Sequence, residues 1–292
     1  MSDLCGLLER LSNANGAPGF EHRIAEIVRS ELETICEITS DNLGSIICRL
    51  RSSGPGPKIA LAGHMDEIGF MVKLVTKEGF VKFLGVGGWW DQVLLGQRVT
   101  IETRQGPVTG LIGAKPPHLI PPDKRNELVK VNDMFIDVGA SSKEGAEALG
   151  IRPGDPIVPV SQCEVLKVEG RLMGKAWDDR VGVALFVHAL QRLHGTPLPN
   201  VLFGIGTVQE EVGLRGATTA AHVVEPDVAL ILETAIAGDV PGIDEAESAV
   251  KLGAGPVIYL MDGSMIAQLR LRDLAIEVCE NAGIPYQFAL LP

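Results

Sequence analysis

At four separated places in this sequence, apolar runs or a helix start lead into groups able to bind a cation or move a proton. "KIALAG" at 58–63 runs into His64 and Asp66, "VLFGIGTVQ" into Glu210 and Glu211, and "VALIL" into Glu233. Asp178 and Asp179, in "GKAWDDRVG", stand where a helix should begin. In open α/β sheets ligands bind in the crevice beyond the carboxyl ends of the strands, so residues just after each apolar run are the ones to weigh. Carboxylates gathered in one crevice repel one another, and without a cation their pKa values would rise strongly. One imidazole with three or four carboxylate oxygens suits zinc, cobalt or manganese better than calcium. There are enough carboxylates for two metals, the arrangement of hydrolytic two-metal sites.

Each piece also has an ordinary reading. A lone histidine at a strand end is more often a surface residue than a ligand. "DDR" at a helix start is usually a cap with favourable dipole charge, and "QEEVG" is usually a solvated loop. Those readings would have to hold independently at four element ends facing one crevice, and the joint coincidence is the weaker explanation. Alternate residues of a strand face one side, so Asp66 can accept a hydrogen bond from the His64 ring nitrogen that does not bind metal. Glu210 and Glu211 are neighbours and cannot readily hold one ion through equivalent geometry. One can coordinate while the other takes a proton from an activated water.

The elements that must position these groups follow from periodicity. Leu4, Leu7, Leu8 and Leu11 fall at helical spacing, as do Ile24, Ile27, Val28 and Leu32. "SIICRL" and "KIALAG" read as strands. From about 67 to 167 short strands alternate with turns, which predicts an all-β insert closing into a small barrel. After Gly170 helices and strands alternate, which predicts βαβ units around a largely parallel sheet. The fully apolar "KIALAG" belongs with that sheet, so the α/β domain is discontinuous, interrupted by the barrel.

Composition excludes other classes. The chain has 292 residues, 46% of them hydrophobic, and a formal charge of −11, which argues against a nucleic-acid footprint or an anionic membrane surface. No run of about 18 apolar residues occurs, and "MSDLCGLLERLSN" shows no basic stretch followed by an apolar core, so a soluble protein is expected. The five cysteines are odd in number and scattered, which reads as reduced, buried thiols in a cytoplasmic protein. Serine-hydrolase, Walker and dinucleotide-binding motifs are absent from the sequence.

"GHMDEIGFMV", "GGWWDQVLLGQRV", "KPPH", "GKAWDDRVG", "VQEEVGLRGA" and "AGDVPG", in this order, closely resemble the M42 family of metalloaminopeptidases. The resemblance implies a phosphorylase/hydrolase-like three-layer αβα catalytic domain with an inserted PDZ-like β-barrel dimerisation domain. The expected boundaries are 1–66 and 168–292 for the catalytic domain and 67–167 for the barrel. It implies two divalent metal ions per subunit, Zn2+ or Co2+ with Mn2+ also suitable. It makes His64 a ligand of one metal, Asp178 the bridge, Glu211 a ligand of the second, Glu210 the general base and Asp66 the group that orients His64. Asp179 would follow a cis peptide bond, and Glu233 stands as a ligand where the family usually has Asp.

The implied activity is removal of N-terminal residues from peptides with free N-termini, by a homo-oligomer of dimers assembled into a tetrahedral dodecamer. Family members continue beyond a segment like "GIPYQFALLP" to an Arg-Tyr-Ile-His-Ser motif that supplies the second metal's remaining ligand. This sequence stops at Pro292. Two further readings stand beside this one: an assembly or binding protein without turnover, supported by the missing histidine and Glu233, and a glycoside hydrolase of endoglucanase type working through a carboxylate pair, suggested by the acidic cleft.

Overall fold

The computed structural model describes residues 2–291. Helices α1 (Ser2–Asn13) and α2 (His22–Leu32) open the chain. The leucine and isoleucine spacing does what it predicts: Leu7 and Leu11 of α1 and Ile24, Val28 and Leu32 of α2 are buried. Strands β1 (Cys36–Ser40), β2 (Ile46–Leu50) and β3 (Lys58–His64) follow. Between β1 and β2 the Asp41 carboxylate accepts the backbone N–H groups of Leu43, Gly44 and Ser45, closing a tight turn.

The insert is a closed barrel of β4 (Gly69–Val75), β5 (Val81–Val86), β6 (Arg98–Thr103), β7 (Gly106–Gly113), β8 (Phe135–Asp137) and, after helix α3 (Lys143–Ala148), β9 (Pro156–Pro159). All its pairings are antiparallel, in the circular order β4-β5-β8-β7-β6-β9. Its own core includes Phe70, Phe83, Val99, Ile101, Ile136 and Ile157. A small pair, β10 (Glu164–Val165) and β11 (Leu172–Met173), leads back to helix α4 (Trp177–Leu193), β12 (Val201–Thr207), α5 (Arg215–Val224) and β13 (Val228–Ile231).

The sheet order is β1-β2-β12-β3-β13. Alternation along the strands splits its side chains between two faces. Ile46, Cys48, Leu50, Leu61 and Leu202 pack with α1, α2 and α4, while Ile47, Ala60 and Ile205 pack with Ala220 and Val224 of α5. This is a three-layer αβα arrangement interrupted by a barrel, and β3 pairs in parallel with strands from beyond the insert on both its sides. The sheet is less parallel than the rhythm of the sequence predicts. The Asp41 turn makes β1 and β2 antiparallel, and β12 pairs antiparallel to β2. Burial of the cysteines holds for Cys36 and Cys48, whereas Cys5 is exposed and Cys163 and Cys279 are half-buried.

The chain forms two compact units, residues 1–233 and 234–292. The second contains β14 (Val257–Met261), α6 (Leu269–Ala282) and β15 (Gln287–Leu290), with β14 and β15 paired in parallel. Helix α6 starts at Leu269, where the Gln268 side chain accepts the Leu271 N–H. Among the described residues no helix is long and apolar enough to cross a membrane.

One close approach ties α4 to β3. A Cβ at Gly63 would lie 2.7 Å from the Gly182 carbonyl carbon, 2.8 Å from Asp179 Oδ2 and 2.9 Å from the Val183 nitrogen. Two of those neighbours are backbone and cannot swing away. Gly63→Ala is therefore expected to cost about 1–3 kcal/mol, read as a lower denaturation midpoint, and an unchanged midpoint would contradict this packing.

Candidate metal centre

Strands β12, β3 and β13 run in parallel, so their carboxyl ends open on one edge of the sheet. That edge receives His64 from β3, Glu210 and Glu211 from the turn after β12, and Glu233 from just beyond β13. Asp178 and Asp179 arrive at the start of α4, joined by a cis peptide bond, as the resemblance implies.

His64 is the hub, with its side chain almost fully buried. Its Nε2 lies 2.7 Å from Asp178 Oδ1 and 3.8 Å from both Glu210 Oε2 and Glu233 Oε2. Two groups have ligand atoms close enough to hold a metal ion: His64 with Asp178 and Glu233, and His64 with Glu210 and Glu211. Both depend on His64, and no other histidine among the described residues belongs to such a group. All six expected site residues thus meet in one place.

Asp66 does more than its spacing suggests. His64 Nδ1 stands 3.1 Å from the Asp66 backbone carbonyl and 3.5 Å from its carboxylate. The carboxylate itself, fully buried, accepts the N–H of Glu210 on one oxygen and the N–H of Glu211 on the other, both at 3.0 Å. It therefore faces the imidazole and grips the turn that presents the glutamates. Hydrogen bonds to an ionised acceptor contribute about 1.5–3 kcal/mol each.

Asp179 is a second clamp. Its Oδ2 accepts the His64 N–H at 3.0 Å and its Oδ1 the Gly182 N–H at 2.9 Å, so the carboxylate joins the end of β3 to the first turn of α4. Beneath the site, Glu67 Oε1 accepts the Gly16 N–H at 3.1 Å and pairs with Lys175 Nζ at 2.5 Å. Arg180 Nη2 lies 3.7 Å from the same oxygen. Arg180 is fully buried; Nη1 donates to the carbonyls of Leu11 and Ala14, and Nε and Nη2 find no hydrogen-bond partner among the described residues. Glu21, also buried, accepts the Gln209 N–H at 3.0 Å. Glu67, Lys175 and Arg180 were visible in "HMDE" and "GKAWDDR", but only as neighbours of the ligands. Glu21 had no signal beyond its place in "APGFE".

The electrostatics bear the mark of crowded negative charge. Burial, with Asp178 and Glu210 nearby, pushes Glu211 up to about 7. Burial raises Glu210 as well, and burial with Glu233 nearby raises Asp179. Burial alone would lower His64, but its bonds to Asp178 and Asp66 dominate and lift it to about 11. The same bond holds Asp178 below the usual carboxylate range. An imidazolium is the only positive charge among these ligand groups, and it occupies the place from which Nε2 would face a cation. Nitrogen and oxygen donors converging under mutual repulsion fit a divalent metal.

A cation must displace the His64 proton and, near neutrality, the fraction of a proton on Glu211. Apparent affinity of the metal-free protein for Zn2+ or Co2+ is expected to fall as pH drops from 8 to 6, roughly tenfold per unit for each proton displaced. Calorimetry in buffers of different ionisation enthalpy would show the released protons. A pH-independent affinity without proton release would contradict this site.

Four similarities bear on the geometry. The family model described as M42 glutamyl aminopeptidase matches residues 44–292. FrvX of Escherichia coli (strain K12) is 39% identical over 287 residues, covering 98% of this chain and 79% of that protein. A TET aminopeptidase from a marine-sediment Thaumarchaeota archaeon superposes with a TM-score of 0.95 at 47% identity, covering 99% of this chain and 81% of that one. The Pyrococcus horikoshii TET1 peptidase, whose structure shows that it can assemble into a tetrahedron or a large octahedral shell, gives 0.88 at 32% identity, covering 99% and 84%. The reading of a binding assembly without turnover draws no support from these relatives.

Proposed function

Since the chain belongs to the M42 family of aminopeptidases, we propose that it removes N-terminal residues from peptides, with divalent metal held around His64. The observation that carries this reading is the convergence of Asp178, Glu210, Glu211 and Glu233 on one buried imidazole. His64, Asp178 and Glu233 would hold one ion, and Asp178 with Glu211 a second, as zinc, cobalt or manganese. When bound, the pair supplies Lewis acidity toward the scissile carbonyl and the attacking water.

Glu210 is the general base in this scheme. Its carboxylate is half-buried beside His64, and burial raises its proton affinity, which suits a group that must take up a proton. It takes a proton from the attacking water and returns it to the leaving amine. Asp66 keeps Glu210 and Glu211 on adjacent, fixed peptide planes, so one can bind while the other stays free to move the proton. Asp179 fixes the backbone from which His64 projects. The substrate's free α-amino group meets the remaining carboxylate charge, which favours a cation there over a capped terminus.

The similarity to assembling TET peptidases supports a homo-oligomer, proposed as dimers paired through the barrel and gathered into a dodecamer in the cytoplasm. Residues 1–66 and 168–292 would then form one catalytic domain and 67–167 the dimerisation barrel.

Glu210→Gln is expected to lower kcat/KM on aminoacyl amides about 10²–10⁴-fold with metal retained. A chelator should abolish turnover, and Zn2+ or Co2+ should restore it. Full activity of Glu210→Gln would sink the base assignment, and chelator-resistant cleavage of a β-glucan would favour the glycosidase reading instead.

A further inference from the structure

Glu21 reaches the site from the N-terminal segment and has no part in the scheme above. The residue is 4% exposed, and one carboxylate oxygen, Oε1, accepts both the Gly19 N–H at 2.8 Å and the Gln209 N–H at 3.0 Å. Gln209 lies at φ +55°, a left-handed conformation that costs a non-glycine residue about 1–2 kcal/mol. Something outside the segment must hold it there. The next two N–H groups, of Glu210 and Glu211, go to the two oxygens of Asp66. Three successive peptide N–H groups are thus gripped by two buried carboxylates from two different elements.

The division of labour matters. Asp66 fixes the peptide planes that follow Gln209 but not the one before it, about which the left-handed turn is made. The remaining tie on the Gln209 side chain is an exposed 3.3 Å contact between its Oε1 and the Arg215 guanidinium, which does not restrain the backbone N–H. On its carbonyl side that preceding plane is held by the Gly216 N–H, which donates to the Val208 carbonyl at 2.9 Å. The Gln209 carbonyl accepts the Arg215 N–H at 3.3 Å. Glu21 restrains the preceding plane from its N–H side, where no other acceptor meets it among the described residues. Gly19, at φ +87°, lets the chain turn so that its own N–H joins the same oxygen.

We infer that Glu21 is a positioning residue: by accepting the Gln209 N–H it holds the left-handed turn and sets where the Glu210 carboxylate stands beside His64. This role rests on Glu210 being the group that moves the proton. Because both donors share one oxygen, the role needs an acceptor at that place rather than a negative charge. A glutamine amide carbonyl can provide it.

The test uses the metal-loaded enzyme and an aminoacyl amide substrate. Glu21→Ala is expected to lower kcat roughly 10–100-fold, with KM and metal content per chain each within about threefold of the parent. Glu21→Gln should retain kcat within about threefold, because the acceptor is kept. With Glu210→Gln already in place, adding Glu21→Ala should lower the residual kcat by less than about threefold, since the group being positioned is gone. If Glu21→Ala does not fold, Glu21→Asp keeps the charge but withdraws the oxygen by one methylene, and it should show the loss in kcat. The inference is overturned if Glu21→Gln is as slow as the alanine variant or Glu21→Asp matches the parent. It is also overturned if the alanine losses are equal in both backgrounds, or if they track loss of metal. Glu210→Gln alone tests the base assignment, so the two failures cannot be confused.

Discussion

Mutual repulsion among carboxylates is the constraint around which this fold is arranged. Asp178, Glu210, Glu211 and Glu233 converge on His64, and Asp66 and Asp179 lie buried directly behind them. Burial in low dielectric penalises each charge, and each neighbour adds to the penalty. The protein answers in two ways. Behind the site the buried guanidinium of Arg180 sits in the field of Glu67, Asp66, Glu21 and Asp179, which together favour its charged form against burial. In front, the donors are left facing one another, an arrangement that a divalent cation would relieve.

The scaffold makes that convergence possible with few elements. Three parallel strands deliver their last residues to one edge, so a histidine and three glutamates arrive from remote parts of the chain without long loops. Glycine at 63 and 182 lets helix α4 sit against β3 closely enough for Asp179 to clamp the His64 backbone. A Cβ at Gly182 would fall within 2.6 Å of both Asp179 carboxylate oxygens. The chain leaves the sheet for the barrel just after Asp66 and Glu67, and after β9 and the β10–β11 pair it reaches α4 through Lys175, so the ion pair of Glu67 and Lys175 ties together the two ends of the excursion. The insertion point and the site are therefore the same piece of structure.

Much of this could be read from residue types. The strand ends carrying His64, Glu210, Glu211 and Glu233 were legible because each follows an apolar run, and the barrel because its strands are short and separated by turns. What escaped was set by contacts across the chain. Asp66 looked like a partner for the imidazole alone, yet its two oxygens bind backbone N–H groups some 144 residues away in sequence, and no local pattern signals an acceptor of that kind. Glu21 escaped for the same reason. The mixed character of the sheet escaped because β1, "CEITS", is too polar to stand out, and its pairing depends on the Asp41 turn. Strand β14 also went unread, although its apolar run "VIYLM" between Gly255-Pro256 and Asp262-Gly263 was a usable signal.

Whether the crowded donors hold metal is best settled by anomalous diffraction from crystals grown with Zn2+. A peak about 2.0–2.1 Å from His64 Nε2, with oxygens of Asp178 and Glu233 completing its shell, is the expected result. Crystals that bind zinc elsewhere on the chain and show no peak beside that nitrogen would contradict it.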